Sequence, residues 1–161
     1  MATNINKSSV LVLDYDDDIF NFELIGLQTV KTEDYKISLA FNTILNFKFK
    51  RKQDFSVIQK EGEFHFSIYQ FYDEKIDINY TLFSNLSLPK EIKLEDQLLF
   101  GTAVTHTYLF SELKKYNYLL KAESKFNNNI SLDLQKLKLI IQHQFIYFKK
   151  LKNKENLILN L

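Results

Sequence analysis

The chain has 161 residues, no cysteine and nearly balanced charge, with 21 Lys and Arg against 20 Asp and Glu. A chain of this length fits one domain and buries about 70% of the surface that its unfolded form exposes. The composition excludes a disulfide framework and a thiolate metal site. The net charge of +1 excludes a global field that would attract nucleic acid or anionic lipid.

The N-terminal residues are polar before a short apolar run. Residues 1–9 predict a flexible lead-in to a single domain that spans residues 1–161. The run from Val10 to Leu13 is shorter than the roughly 7–15 apolar residues of a signal peptide and the ~20 residues of a membrane span. We therefore expect a cytoplasmic protein with no membrane contact, and we expect no cofactor.

Residues 20–52 predict a strand, a helix and a second strand. Residues 20–29 alternate apolar and polar side chains at their start, which is typical of a strand. Thr32 is a typical N-cap, and the apolar residues after it recur with helical spacing, which predicts a helix over residues 33–46. Residues 47–52, FKFKRK, alternate strictly and predict a strand with one solvated face.

The middle of the chain predicts a hairpin followed by a long connection. Residues 63–72 and 76–84 are aromatic and β-branched, and the short polar break between them is typical of a hairpin turn. Residues 85–102 contain the only Pro and alternating charges, and they predict an irregular connection.

The C-terminal half begins with residues 106–124, HTYLFSELKKYNYLLKAES, which predict a strand, a turn and a strand. A short helical turn over residues 112–115 is the competing interpretation. Residues 131–143 predict a second helix, and residues 144–151 a last strand. The element order predicts an α+β domain: a mainly antiparallel β-sheet with two principal helices packed on one face.

The stretch around residue 112 resembles the motif of the IPExxxVDY family, small uncharacterised proteins of Bacteroidetes. The Ile-Pro-Glu of that motif falls on residues 110–112, and its Val-Asp-Tyr on residues 116–118. Glu112 and Tyr118 match the motif, whereas Ser111 and Asn117 depart from it.

Three other segments resemble the same family in the same order along the chain. They are residues 22–26 (FELIG), residues 34–36 (DYK) and residues 152–158 (KNKENLI). The resemblance spans residues 20–158. It implies no known activity, cofactor or catalytic residue.

Aromatic side chains on the second face of the predicted sheet suggest a docking surface. Exposed apolar area of this kind usually marks a contact site, and aromatic residues are enriched in interface cores. The alternative is that loop 85–102 or the C-terminal tail covers this face. We expect a non-enzymatic interaction module that docks a protein partner, or a second copy, through this face or through an edge strand. The candidate residues are Tyr69, Phe71, Phe83, Tyr108 and Tyr118.

Basic residues predict RNA binding as the alternative function. The strand FKFKRK interleaves aromatic and basic side chains, as the surfaces that bind single-stranded nucleic acid do. The same pattern also describes an ordinary half-buried strand with lysines in solvent. The candidate residues are Lys48, Lys50, Arg51, Lys52, Lys149 and Lys150.

Two further patterns carry weaker indications of chemistry. Asp14 and Asp16 follow an apolar run, which resembles the opening of haloacid-dehalogenase-like phosphohydrolases that use Mg²⁺. The later Gly-Asp-x-x-x-Asp of those enzymes is missing, so a solvated acidic turn is the favoured interpretation. His65, His106 and His143 lack ligand spacing, and they predict structural histidines.

Overall fold

A six-stranded antiparallel sheet forms the centre of the fold in a computed structural model that describes residues 22–93, 102–124, 132–148 and 151–152. The described strands are β1 (Phe22–Thr29), β2 (Lys50–Arg51), β3 (Phe55–Gln59), β4 (Gly62–Phe66), β5 (Ile68–Asp73), β6 (Ile78–Ser84), β7 (Lys90–Lys93), β8 (Thr102–Thr105), β9 (Tyr118–Ser124) and β10 (Ile140–Phe145). The order across the central sheet is β10-β1-β9-β6-β5-β2, so β10 and β2 are its two edges.

Two pairs of strands lie outside the central sheet. β3 pairs with β4, and β7 pairs with β8, both antiparallel. β4 leads directly into β5 through Ser67, whose backbone N–H donates a hydrogen bond to the side-chain Oγ of Ser84 at 3.0 Å. This change of partner at Ser67 separates the β3–β4 hairpin from the central sheet.

One face of the central sheet, the helix face, is covered by α1 (Asp34–Ile44). Ile37 and Phe41 of α1 are buried in the same core as Leu27, Tyr80 and Leu120 of the sheet. The apolar spacing read from the sequence explains this packing, because Ile37 and Phe41 lie four residues apart on one side of a helix. The predicted helix over residues 33–46 is therefore confirmed, with slightly narrower bounds.

The opposite face, the hairpin face, is covered by other parts of the chain. Phe64 and Phe66 of β4 are buried in one core with Leu24, Phe83 and Leu119 of the sheet. Residues 109–116 complete this cover with three more buried apolar side chains and a tyrosine: Leu109, Phe110, Leu113 and Tyr116. Both faces of the sheet are thus packed.

The prediction of two principal helices is wrong, because the described residues contain a single α-helix and otherwise mostly antiparallel strands. The segment predicted as the second helix, residues 131–143, forms a 3₁₀ turn at Leu134–Lys136 and then enters β10. Leu134 and Leu137 still reach the helix-face core. Their spacing fits a helix, but pairing of the following residues with β1 determines the structure, because cross-strand packing overrides local preference.

Most other predicted strands are kept with changed bounds. The strand predicted over residues 106–110 is wrong, since this segment forms only the isolated bridge between Tyr108 and Leu86, and the connection predicted to be irregular over residues 85–102 contains β7. The strand predicted over residues 63–72 is divided at Ser67, and the strand predicted over residues 47–52 shortens to β2. In the stretch 106–124, a 3₁₀ turn at Ser111–Leu113 precedes β9, close to the competing helical-turn interpretation. The predicted strand at residues 10–13 lies outside the described residues.

Candidate functional site

The aromatic residues proposed for docking lie on both sides of the sheet rather than on one exposed face. Tyr69 and Tyr118 are buried in the helix-face core, and Phe71 packs against that core partly buried. Phe83 is fully buried in the hairpin-face core. Tyr108 is half-buried, in a short bridge to Leu86.

Tyr69 and Tyr118 are buried tyrosines whose pKa values are raised. Burial raises the pKa of Tyr69, although Nη1 of Arg51 donates a hydrogen bond to its hydroxyl at 3.0 Å. Burial also raises the pKa of Tyr118 far above its usual value. A buried phenol stays neutral because its charged form would lose solvation. These tyrosines therefore act as core side chains.

Successive side chains at residues 47–50 of the segment FKFKRK (residues 47–52) alternate between the protein core and solvent. Phe49 is buried in the helix-face core, and Phe47 packs against it. Lys48, Lys50 and Lys52 are exposed and line one groove at the β2 edge of the sheet. Three of the predicted basic residues are thus brought together by the strand's alternation.

Arg51 is directed away from those lysines. Its Nη1 pairs with Oδ2 of Asp34 at 2.5 Å, its Nη2 pairs with Asp54, and its guanidinium lies 5.1 Å from the ring centroid of Tyr69. An arginine held by two carboxylates is poorly suited to bind phosphate. Lys149 and Lys150, the remaining basic candidates, lie outside the described residues.

The groove beside Lys48 has a volume of about 530 Å³. Lys75 joins the other three lysines from the turn between β5 and β6, where Asp73 and Glu74 also line the groove. The amide side chains of Asn46, Gln70 and Asn79 contribute its uncharged polar lining.

The two edges of the central sheet differ sharply. β2 has two residues, Lys50 and Arg51, and both are exposed. β10 has six residues, IIQHQF, without Lys, Arg, Asp, Glu or Pro. Ile141 and Phe145 of β10 are 63% and 56% exposed. Short length, charge and Pro are the usual means that keep an edge from pairing with another chain, and β10 has none of them.

Sequence reasoning missed the β10 edge because it assigned residues 140–143 to a helix and began the last strand at residue 144. The signal that was available is local: paired β-branched residues, then glutamines at alternating positions, then an aromatic residue. On the described structure, β1 occupies one side of β10, from Ile25 opposite Phe145 to Thr29 opposite Ile140. None of the other described strands pairs with its outer side.

His65 and His106 make ordinary structural contacts. Nδ1 of His65 lies 2.7 Å from Oγ of Ser56, and Nδ1 of His106 lies 3.2 Å from the carbonyl oxygen of Ser87. In the described ranges, no group of three His, Asp or Glu side chains is arranged to hold a metal ion. Asp14 and Asp16, the phosphohydrolase-like pair, lie outside those ranges.

Glu112 and Tyr118, the two residues on which the resemblance to the IPExxxVDY motif rests, have different surroundings. Tyr118 is buried in the sheet, as described above. Glu112 is exposed, and its Oε1 accepts a hydrogen bond from the backbone N–H of Lys152 at 2.6 Å. Glu112 thereby holds the start of the C-terminal segment that also resembles the family.

Comparison of the chain with known protein families, with curated proteins and with solved structures finds no match. No helix within the described residues is long and apolar enough to cross a membrane. The function is therefore inferred from the geometry of the chain's own residues.

Proposed function

We propose that the protein is a non-enzymatic, cytoplasmic interaction module that pairs with a second copy of itself through the outer edge of β10. The observation that carries this proposal is an uncharged six-residue edge strand with exposed apolar side chains, at one end of a well-packed sheet. The aromatic faces of the sheet do not support docking, because the chain's own helix and hairpin pack against them.

The sequence of β10 is suited to antiparallel pairing with itself. If the two-fold axis passes His143, Ile141 of one copy lies opposite Phe145 of the other, and Gln142 lies opposite Gln144. Paired aromatic and β-branched side chains stabilise neighbouring strands by roughly 0.2–1 kcal/mol per pair. The arrangement brings no carboxylate or ammonium group opposite a like charge.

The other edge of the sheet limits the assembly to two copies. A symmetric contact between identical edges closes on itself, whereas contacts between two different edges extend into fibres. The exposed Lys50 and Arg51 make β2 a short, charged edge that resists pairing. We therefore expect a closed dimer with one continuous sheet across the axis.

The proposal is tested by the molar mass in solution, measured by light scattering after size exclusion over a range of concentrations. The double variant Ile141→Lys/Phe145→Lys places charge on the edge without disturbing a buried residue. We expect a dimer for the wild type and a monomer for the variant, with unchanged circular dichroism.

Ile58→Lys is the matched control. Ile58 lies on β3 and is 83% exposed, so this variant also replaces an exposed apolar side chain by lysine, away from β10. We expect it to remain dimeric. A monomeric wild type, or a β10 double variant that still dimerises, would contradict self-pairing through this edge.

A further inference from the structure

We infer that the lysine groove, formed by Lys48, Lys50, Lys52 and Lys75, binds the phosphates of single-stranded nucleic acid without sequence preference. This inference concerns the β2 edge and is independent of the pairing proposed for β10. The groove contains four lysines and two acidic residues, Asp73 and Glu74, so it concentrates positive charge on a chain that is nearly neutral as a whole. Electrostatic attraction of this kind provides most of the affinity in nonspecific binding.

The four groove lysines are available to a ligand. Within the described residues, none of them forms a salt bridge, whereas Arg51 on the same strand is held by Asp34 and Asp54. Unpaired ammonium groups lose only water when they meet a phosphate. They need not first release a carboxylate, so their charge remains for a ligand.

The spacing of the lysines favours a polymer over a single phosphate. Lys48, Lys50 and Lys52 occupy alternate positions, while Phe49 is buried in the helix-face core and Phe47 packs against it. Alternate residues of an extended chain are roughly 6.6 Å apart. A row of lysine ammonium groups at regular intervals is suited to a polymer that carries a phosphate at regular intervals.

A row of polar residues continues from the groove across the sheet. Register places Lys50 beside Gln70, Gln70 beside Thr81, and Thr81 beside Lys121. Lys121 is opposite Leu24, so the row lies on the hairpin face. Most of that face is apolar, and this row interrupts it.

Two members of the row are buried. Oγ1 of Thr81 has no hydrogen-bond partner in the described structure. Nζ of Lys121 pairs with Oε1 of Glu123 at 2.9 Å, and Nδ2 of Asn79, a groove residue, donates to Oε2 of the same carboxylate at 3.3 Å. Buried polar groups are costly unless they are satisfied. Their position in register with Gln70 of the groove indicates a polar site rather than a chance cluster of surface lysines.

Tyr72 provides the groove with an aromatic surface. Tyr72 is 51% exposed and lines the groove, while its hydroxyl donates to Oδ1 of Asp77 at 2.5 Å. The hydrogen bond restrains the side chain, about half of which remains accessible to a ligand. Bases stack on such rings whatever their identity. A tyrosine beside a row of lysines therefore favours nucleic acid over other polyanions.

The inference is tested by fluorescence anisotropy of a labelled oligouridylate at increasing salt, starting from low ionic strength. We expect the triple variant Lys48→Gln/Lys50→Gln/Lys52→Gln to weaken binding at least tenfold. Each phosphate contact contributes about 0.7 to the slope of log affinity against log salt for a single strand, so the slope should fall by about 2.

The control triple variant is Lys31→Gln/Lys60→Gln/Lys138→Gln, which removes the same charge from exposed positions outside the groove. We expect it to keep the wild-type affinity and slope. Equal loss in the two triple variants, or no binding at low salt, would overturn the inference. So would equal affinity for uridine monophosphate and the oligouridylate, because it would assign the groove to single phosphates.

Discussion

Asn85 and Phe110 exchange two hydrogen bonds in the interior of the protein. The backbone N–H of Phe110 donates to Oδ1 of Asn85 at 2.9 Å, and Nδ2 of Asn85 donates to the carbonyl oxygen of Phe110 at 3.3 Å. The same Nδ2 donates to the carbonyl oxygens of Leu113 and Tyr116 at 3.0 and 3.2 Å. One fully buried amide therefore holds the segment that covers the hairpin face.

We expect Asn85→Leu to lower the free energy of unfolding by about 3 kcal/mol or more. The leucine fills the space but leaves the N–H of Phe110 without its partner and removes one hydrogen bond each from the carbonyls of Phe110, Leu113 and Tyr116. A buried group left unsatisfied costs about 1–3 kcal/mol. Urea unfolding measures the change. Asn79→Leu, at a half-buried asparagine with one 3.3 Å bond, is the control and should cost less than about 1 kcal/mol. Equal losses in the two variants would contradict this role of Asn85.

Gly26 of β1 packs directly beneath the ring of Tyr116. A Cβ atom at position 26 would lie 2.6 Å from Cδ2 of that ring, and the ring cannot easily move, because it is buried and its hydroxyl donates to Oε1 of Gln144 at 2.6 Å. Overpacking of this kind typically costs 1–3 kcal/mol. We therefore expect Gly26→Ala to lower the free energy of unfolding by ~2 kcal/mol.

A double-mutant cycle isolates the contact. In a Tyr116→Ala background the clash is absent, so Gly26→Ala should cost much less than it does in the wild type. Chemical denaturation of the four proteins measures the coupling. An equal cost in both backgrounds would mean that the loss arises from the backbone at position 26 and not from the ring.

The parts of the fold that local pattern determines were predictable. α1 follows from apolar residues three and four apart, and its end follows from Asn46, which adopts φ 58°. β10 was missed because Leu134, Leu137 and Ile141 also have helical spacing. Residues 140–145 form a strand rather than a helix because they pair with β1 at the edge of the sheet. That pairing joins residues more than 100 positions apart in the chain, beyond the reach of any local window.

In the candidate sites, too, only the features that the local sequence pattern determines were predictable. Alternation in FKFKRK correctly predicted a solvated row with Lys48, Lys50 and Lys52, because side-chain direction in an extended chain is a local property. The pairing of Arg51 with Asp34 depends on the position of α1, which the strand pattern does not contain. Likewise, the burial of Phe83 depends on β4, a separate hairpin that folds across the sheet.

Ionisation of Glu112 makes the stability of the folded protein depend on pH in the acid range. Burial is the largest single influence on Glu112 and opposes its ionisation. Hydrogen bonds from its own backbone N–H, from the backbone N–H of Lys152 and from the hydroxyl of Ser111 together outweigh burial, so the pKa of Glu112 lies below its usual value of 4.5. A carboxyl group whose pKa is lowered by folding stabilises the native state above its unfolded pKa. That contribution is lost as the pH falls through the folded pKa.

We expect Glu112→Gln to destabilise the protein at pH 7 and to have a smaller effect at pH 3, where the wild-type carboxyl group is itself largely protonated. The difference should stay below about 1 kcal/mol, because Glu112 is exposed and solvent screens its interactions. Urea unfolding of both proteins at pH 3, 5 and 7 measures it. Glu63→Gln, at an exposed carboxyl group on β4, controls for loss of one surface charge. A Glu112→Gln effect that is the same at pH 3 and pH 7 would mean that the hydrogen bond to Lys152 does not favour the ionised carboxylate.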